Sequence, residues 1–203
     1  MRAMVLQGQA PIERAPLLAE DVPIPTPAGD ELLVRVRACG VCRTDLHVVE
    51  GDLPPMRDRL VPGHQAVGVV ESAPPDARVR AGDRVGIAWL RRTCGHCEYC
   101  ATGRENLCER AEFTGWHADG GFAEYAVVPA AFAYAIPEAF SDVDAAPLLC
   151  ARHHRLSRSP ARRGAARRAA RPLGVRLLRA RHAPGRPRAR RPRARVDARG
   201  VAS

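Results

Sequence analysis

The spacing of the cysteines constrains this 203-residue chain more than any other feature. Four of the seven cysteines share one short segment with the spacing C-x2-C-x2-C-x7-C, namely Cys94, Cys97, Cys100 and Cys108. Four thiolates complete the tetrahedral shell of a structural zinc ion, which can order a loop that has too little apolar material to fold alone. The alternative is a disulfide or free-thiol cluster, but an odd number of cysteines does not suit a fully paired framework. The segment therefore predicts a closed zinc site.

A second group of possible metal ligands is spread along the chain. Cys42 lies in the run 39–47, His64 follows a glycine, and Cys150 ends the stretch Leu148-Leu149-Cys150. Three protein ligands would leave one coordination position open, which is what a catalytic zinc ion requires. Taken singly, such residues are more often packing residues than ligands.

Three other residues of metal-binding type are not predicted to be ligands. Cys39 is expected to be a packing residue. His96 and His117 are expected to be exposed loop residues, because both groups already hold enough ligands.

The charge divides the chain at about residue 151. Residues 1–151 contain 14 arginines and 21 acidic residues, a net charge of −7, whereas residues 152–203 contain 18 arginines and one acidic residue, a net charge of +17. The second segment consists mostly of Arg, Ala and Pro, and it has no aromatic residue, Met, Ile or Cys. It cannot bury enough apolar surface to offset the entropy of ordering, so we expect a disordered tail.

The tail has three interpretations. It could bind nucleic acid without sequence specificity as a basic arm, or it could serve as a solubilising tail. It could also be the translation of a shifted reading frame in GC-rich DNA, and we place this hypothesis above a selected basic arm.

Short apolar runs between Gly and Pro predict a mainly β domain before the tail. Expected strands cover 32–38, 67–72, 84–87 and 121–129, and a helix is expected from Ser141 to Leu149, with Ser141 or Asp142 as its N-cap. No apolar run is long enough to cross a membrane, and no signal peptide opens the chain. We therefore expect a cytoplasmic protein with reduced cysteines and no membrane partner.

In the run 39–47, at Gly63-His64, in the four-cysteine segment and at Cys150, the chain resembles the zinc-dependent alcohol dehydrogenases of the medium-chain dehydrogenase/reductase superfamily. The resemblance covers residues 1–151 in the family's order. It implies a chaperonin-10-like (GroES-like) barrel domain with a structural zinc lobe. In the family a nicotinamide-binding Rossmann domain follows, but residues 152–203 contain no G-x-G-x-x-G fingerprint. We therefore expect a catalytic domain, 1–151, that is truncated or frameshifted into the basic tail, 152–203.

The resemblance also implies the ligands of two zinc ions. Cys42, His64 and Cys150 would bind a catalytic zinc ion, and the four-cysteine segment would bind a structural one. Asp45 would support the ligand histidine through a hydrogen bond. The family usually has Glu after that histidine, whereas this chain has Gln65, which makes the site less negative without inactivating it.

Further roles are implied around the catalytic zinc ion. Thr44 would hydrogen-bond the alcohol and pass its proton toward His47. Arg43 would contact the pyrophosphate of the cofactor. Trp89 and Trp116 would form an aromatic wall of the substrate pocket, although both could equally be ordinary core aromatics.

Two functions follow as expectations. The first is NAD- or NADP-linked oxidation of small alcohols to aldehydes or ketones, with an intact parent that is a homo-oligomer; without a cofactor domain, this chain alone is expected to be essentially inactive. The second is a non-enzymatic zinc-binding β domain whose basic tail binds nucleic acid.

Overall fold

The computed structural model describes residues 1–151, which belong to the first of two units of the chain, Met1–Arg163. The described elements are β1 (Arg2–Leu6), β2 (Leu17–Asp21), β3 (Glu31–Gly40), α1 (Arg43–Glu50), β4 (Gln65–Ser72), β5 (Arg84–Ile87), β6 (Leu90–Arg92), α2 (Glu98–Ala101), β7 (Glu112–Phe113), β8 (Tyr125–Pro129), β9 (Ala133–Ala135), α3 (Asp142–Ala145) and α4 (Leu148–Ala151). Short 3-10 turns lie at Ile12–Arg14, Glu105–Leu107 and Ala130–Phe132. The prediction of a mainly β domain is confirmed.

A five-stranded antiparallel sheet forms the centre of the described residues. Its strand order is β8-β3-β4-β5-β9, and the two-stranded pairs β1-β2 and β6-β7 lie outside it. The pairing of β3 with β4 shifts register between Leu33 and Val34 and again between Val36 and Ala38. Such irregularities bend a strand and increase its twist, so the long strand β3 curls instead of remaining flat.

The core follows from the alternation of side chains along these strands. In β3, Leu32 and Val34 are fully buried while Arg35 and Arg37 are exposed, as expected for a strand with one face on the core. The central strand β4 is buried from Gln65 to Gly68 and at Val70, and its last two residues are exposed. The principal cluster comprises Leu32, Val34, Ala66, Val70, Val85, Ile87, Ala126 and Val128. All four predicted strands are therefore present, although β8 begins only at Tyr125.

Gly68 allows β4 to approach β3 closely next to the register shift between Val36 and Ala38. A Cβ atom at this position would lie 2.3 Å from the carbonyl oxygen of Arg35 and 2.7 Å from Cγ1 of Val34. We expect Gly68→Ala to lower the free energy of unfolding by about 3 kcal/mol, because the contacted oxygen belongs to a strand backbone that cannot move aside. Denaturant unfolding measures this loss. Gly8→Ala is the control, since a Cβ at Gly8 meets no atom within 4 Å among the described residues; equal stability of the two variants would contradict the prediction.

The helices differ from the sequence prediction in two places. Helix α1 (Arg43–Glu50) was not predicted, because the sequence analysis assigned only strands before residue 141. The helix expected from Ser141 to Leu149 is divided into α3 and α4 by Pro147, which has no N–H with which to continue the hydrogen-bond ladder. The predicted N-cap is confirmed at Ser141, whose hydroxyl accepts a hydrogen bond from the backbone N–H of Asp144 at 3.1 Å.

Within residues 1–151, the structure has no helix with the length and apolar composition that a membrane crossing requires. The predicted disordered tail, its nucleic-acid binding and the frameshift hypothesis concern residues 152–203, which lie outside the described residues.

Candidate metal centres

The four-cysteine segment folds so that its sulfur atoms converge. The sulfur atoms of Cys94, Cys97, Cys100 and Cys108 all lie within 4.8 Å of one another. The distance from Cys100 Sγ is 3.5 Å to Cys97 Sγ and 3.9 Å to Cys94 Sγ. Tetrahedral zinc with Zn–S bonds of about 2.3 Å requires sulfur atoms about 3.8 Å apart. The segment therefore has the donors and the spacing of a closed zinc site, and all seven cysteines of the chain are free thiols.

Backbone N–H groups in this segment donate hydrogen bonds to cysteine sulfur atoms and so stabilise their thiolate forms. Cys94 Sγ accepts a hydrogen bond from the N–H of Cys97 at 3.4 Å, and Cys108 Sγ accepts one from the N–H of Cys94 at 3.5 Å. Hydrogen bonds from the N–H groups of His96 and Cys97 lower the pKa of Cys94 to about 5. Donors that favour a thiolate also favour metal binding, since the thiolate is the ligand.

A buried ion pair joins the four-cysteine segment to the sheet. Arg91 lies in β6, directly before the segment, and its guanidinium is 2.7 Å from the carboxylate of Glu31 at the start of β3. The same guanidinium donates to the carbonyl oxygen of Val127 in β8. These two contacts attach β6, the strand that leads into the four-cysteine segment, to strands β3 and β8 of the main sheet.

The second group of ligands is assembled from three distant parts of the chain. Cys42 precedes α1, His64 precedes β4 and Cys150 lies in α4. Their ligand atoms lie within 4.8 Å of one another, and the two sulfur atoms are 3.8 Å apart. His64 is fully buried, and its Nε2 atom makes no hydrogen bond within the described residues. An unpartnered ring nitrogen beside two thiols is the donor set of a three-ligand zinc site with an open position.

Asp45 connects two of these ligands through one buried carboxylate. Its Oδ1 atom is 2.9 Å from Nδ1 of His64, and its Oδ2 atom accepts a hydrogen bond from the backbone N–H of Cys42 at 2.7 Å. Because Nδ1 donates its proton to Asp45, Nε2 is left with a lone pair for a metal ion. The same carboxylate satisfies a backbone donor at the start of α1, so helix formation and ligand orientation depend on one side chain.

The thiols of the open site have different acidities. Burial opposes the ionisation of Cys42, but hydrogen bonds from the backbone N–H and the hydroxyl of Thr44 outweigh it and lower the pKa of the Cys42 thiol. Burial opposes protonation of His64 most strongly, but the hydrogen bond and negative charge of Asp45, together with Cys42, outweigh it and raise the pKa of the imidazole. Burial raises the pKa of Cys150 to about 11. Cys42 is therefore the more acidic of the two thiols.

The expected proton-relay residues lie on α1, close to the open site. Thr44 Oγ1 is 3.8 Å from Cys42 Sγ. His47 is half-buried, and its Nδ1 atom is 2.6 Å from Oδ2 of Asp52, a partner that the sequence analysis did not identify. Among residues 1–151 no hydrogen bond links Thr44 directly to His47. Arg43 is exposed at the first position of the helix.

The two tryptophans form a stack that begins at the ligand histidine. The ring of Trp89 stands edge-on to His64 with centroids 5.0 Å apart, and Trp116 is parallel to Trp89 at 6.0 Å. Phe113, which the sequence analysis did not single out, stacks on Trp89 at 4.9 Å. Trp116 also lines a groove of about 400 Å³ together with Leu6, Val48, Met56 and Leu60. Both tryptophans thus pack against the core, and Trp116 also borders a groove.

Three residues that were expected not to be ligands lie outside both centres. Cys39 packs against the main core, as predicted, and burial raises its pKa to about 12. His96 is exposed, as predicted. The prediction of exposure was wrong for His117, which is half-buried because its ring packs edge-on against Trp116 at 4.3 Å.

Comparison with known proteins places this arrangement in a family. Residues 28–138 match the alcohol dehydrogenase GroES-like domain. The probable alcohol dehydrogenase AdhA of Mycobacterium tuberculosis is 54% identical over 157 residues, which cover 74% of this chain and 45% of that protein. A cobalt- and zinc-bound thermostable alcohol dehydrogenase from Pyrobaculum aerophilum is 36% identical with a TM-score of 0.66, covering 73% of this chain and 44% of that one. An alcohol dehydrogenase from Escherichia coli in complex with NADH is 36% identical with a TM-score of 0.63, covering 73% and 42%.

The matches cover less than half the length of these relatives. They confirm the predicted fold class, because residues 28–138 match the GroES-like domain and the solved alcohol dehydrogenases share the fold of this part of the chain. The chain belongs to the zinc-dependent alcohol dehydrogenases of the medium-chain dehydrogenase/reductase superfamily.

Proposed function

We propose that residues 1–151 form the zinc-binding domain of an oxidoreductase that oxidises small alcohols to aldehydes or ketones with NAD or NADP. The observation that carries the proposal is the open ligand set of Cys42, His64 and Cys150, in which two sulfur atoms and one unpartnered ring nitrogen lie within 4.8 Å. A second, structural zinc ion would be held by the four-cysteine segment.

The residues around the open site have different proposed roles in binding and orienting a zinc ion. When bound, zinc acts as a Lewis acid that makes the alcohol hydroxyl acidic near neutral pH. Two thiolates and one neutral imidazole balance the charge of such an ion, and Asp45 holds the imidazole in the tautomer that presents Nε2. Gln65 follows the ligand histidine and is also buried.

The hydroxyl of Thr44 is proposed to accept the alcohol proton and to pass it toward His47, where solvent is within reach. His47 suits this step because imidazole titrates near neutral pH, and Asp52 fixes its ring through Nδ1. Because Thr44 and His47 share no hydrogen bond in residues 1–151, the transfer needs an intervening group, for which a water molecule or a cofactor hydroxyl has the right chemistry.

Substrate and cofactor are proposed to meet at the exposed end of this site. Trp89 and Trp116 offer flat apolar faces to the carbon chain of an alcohol. Arg43, exposed at the first position of α1, is proposed to attract the pyrophosphate of the cofactor, whose nicotinamide supplies the hydride acceptor. NADH is bound by the related Escherichia coli enzyme, which supports a nicotinamide cofactor for this chain.

The domain boundary, the oligomeric state, the cellular location and the number of zinc ions are proposed as well. We propose a domain boundary at about residue 151 and, for the complete enzyme, a homo-oligomer. Metal-binding thiols must stay reduced, which supports a cytoplasmic location. The cobalt and zinc of the Pyrobaculum aerophilum enzyme support metal binding here, with two zinc ions per chain as the proposed stoichiometry.

Metal analysis of the purified chain tests the proposal. We expect two zinc ions per chain in the native protein and one in Cys42→Ala. Loss of one thiolate leaves only two ligands at the open site, which then no longer retains zinc, while the four-cysteine segment remains intact. Cys39→Ala is the matched control, since Cys39 is a neighbouring cysteine outside both ligand sets, and it should retain two. Addition of a small alcohol to the cobalt-loaded chain should shift the d–d bands of the open site. A zinc content unchanged by Cys42→Ala would contradict the proposal.

A further inference from the structure

The three residues before the ligand histidine belong to no helix or strand of the described part of the chain. Residues 61–63 are all buried, and β4 begins only after His64. An irregular segment has no hydrogen-bond ladder of its own, so neighbouring residues must satisfy its backbone groups. The position of His64 therefore depends on the contacts that hold residues 61–63.

A second irregular segment, residues 119–122, supplies backbone contacts to the first. The N–H groups of residues 120–122 donate to the three carbonyl oxygens of residues 61–63, at distances from 2.6 to 3.0 Å. Glycine permits so close an approach, since a Cβ on Gly63, whose φ is +98°, would lie 2.6 Å from Cδ1 of Phe122. The two backbones are in direct contact, so a displacement of one displaces the other.

Asp119 reaches from the second segment to the start of the first. Its Oδ1 atom accepts a hydrogen bond from the N–H of Val61 at 2.9 Å. Its Oδ2 atom lies 3.3 Å from Nη1 of Arg57. A charged acceptor forms a stronger hydrogen bond than a neutral one, so this carboxylate is suited to hold a backbone donor. The bond of Oδ1 adds a fourth connection to the three backbone hydrogen bonds between the segments.

Other contacts hold the chain on either side of residues 61–63. Leu60 is paired with Leu6 of β1 through two backbone hydrogen bonds, at 2.8 and 3.1 Å, which fix the chain before this segment. Asp45 fixes the direction of the imidazole of His64 after it. Neither contact acts on the backbone of the segment itself, where the carboxylate of the second segment does.

We propose that Asp119 is a positioning residue of the open site. By accepting the N–H of Val61 it holds residues 61–63 in place, and so sets where His64 presents Nε2 to a metal ion. The inference rests on the proposed function, namely that the open site binds zinc. Asp119 is not itself one of the proposed ligands; it acts through the backbone that carries one of them.

The ion pair of the same carboxylate is expected to matter less than its hydrogen bond. The side chains of Arg57 and Asp119 are 44% and 53% exposed, and exposed pairs contribute little because solvent screens them. Removal of the arginine should therefore leave the open site nearly unchanged, whereas removal of the acceptor should not.

Metal titration of the full chain tests this role without requiring catalysis. Asp119→Ala removes the acceptor of the Val61 N–H, and zinc affinity at the open site should fall about two- to tenfold, the factor that one hydrogen bond of ordinary net strength is worth. The d–d bands of the cobalt-loaded open site should shift, because the ligand geometry changes. Asp119→Asn keeps an acceptor oxygen and should restore most of the affinity. Arg57→Ala keeps the hydrogen bond and should stay within about twofold of the native affinity.

Amide hydrogen exchange of the metal-free chain tests the contact between the two segments. In Asp119→Ala the amides of residues 120–122 should exchange about two- to tenfold faster, because their bonds to residues 61–63 open more often. The amides that pair β3 with β4 should keep their native rates, since the main sheet has its own core. Asp119→Asn should again lie near the native chain.

Glu124→Ala is the matched control. Glu124 also accepts a backbone N–H, that of Arg2 at 2.8 Å, and its carboxylate lies 3.7 Å from the guanidinium of the same residue. Its side chain is 48% exposed, close to that of Asp119. These contacts hold β1 and not residues 61–63, so the variant should keep the native zinc affinity and the native cobalt spectrum. The affinity of the four-cysteine site should be native in all four variants.

Three outcomes overturn the proposal. Native zinc affinity or native exchange at residues 120–122 in Asp119→Ala would show that the carboxylate does not hold the segment. Equal weakening in Asp119→Ala and Asp119→Asn, or the same weakening in Glu124→Ala, would show a loss that does not depend on the acceptor of Val61. If the native chain binds a single metal ion that Cys42→Ala does not affect, the proposed function fails together with this inference. Native binding of two ions with an insensitive Asp119→Ala overturns the inference alone.

Discussion

Replacing Cys94 and Cys97 together by serine is expected to remove one zinc ion per chain and to unfold the segment between residues 94 and 108. A serine hydroxyl does not replace a thiolate as a zinc ligand, and this segment contributes few residues to the core. Structural zinc ions supply on the order of 10 kcal/mol of binding free energy that serves as folding free energy. Elemental analysis would measure the loss of zinc, and amide hydrogen exchange would show loss of protection in the segment.

The effect should stay local to that segment. The main sheet has its own core, so its amides should remain protected, and the open site should keep its zinc ion. Cys39→Ser serves as the control, because Cys39 packs on the sheet and belongs to neither ligand set. An unchanged zinc content in the double variant would contradict the assignment of the four cysteines to a structural zinc ion.

Asp45→Ala is expected to damage the open site and the start of α1 at the same time. It leaves the Nδ1–H of His64 and the backbone N–H of Cys42 without their acceptor. We expect zinc affinity at the open site to fall about 10- to 100-fold. The free energy of unfolding should fall by about 3 kcal/mol, because hydrogen bonds to a buried charged group are lost. Chelator competition and denaturant unfolding would measure the two effects.

Two variants separate the roles of this carboxylate. Asp45→Asn keeps the shape and one acceptor oxygen, so it should lie between the native chain and Asp45→Ala in zinc affinity. Asp52→Ala removes an exposed carboxylate from His47 and should leave both zinc affinity and stability nearly native. A native zinc affinity in Asp45→Ala would mean that His64 is oriented by something other than this carboxylate.

The proximity of the residues in the two candidate metal centres could be predicted from the sequence, because cysteine spacing and residue type carry most of the information about a metal site. The structure brings Cys42, His64 and Cys150 together from three elements, as the resemblance implied. Strands β3 to β5 were predictable for a different reason, since short apolar runs bounded by Gly and Pro are typical of strands.

Other features depended on tertiary contacts that no local pattern records. Helix α1 was missed because it begins after a cysteine, which is not among the usual N-cap residues; the carboxylate of Asp45 at the third helical position was the available signal. The division of the predicted helix at Pro147 could have been foreseen, since proline lacks the backbone N–H that continues the hydrogen bonds of a helix. The pairing of His47 with Asp52 and the stack of Phe113 on Trp89 depend on side-chain directions that the sequence does not specify.

The separation of the proposed ligands along the chain has a consequence for the order in which the two candidate metal centres form during synthesis. The four sulfur atoms of the closed site are joined by a short loop, with Cys94 and Cys108 only 14 positions apart. Cys42 and Cys150 are 108 positions apart, so closing their loop costs about 2 kcal/mol more in chain entropy. A growing chain presents the four thiolates as a complete site before Cys150 has been made. The four-cysteine segment can thus assemble early, whereas the assembly of Cys42, His64 and Cys150 must wait until the register between β3 and β4 has formed and α4 has docked.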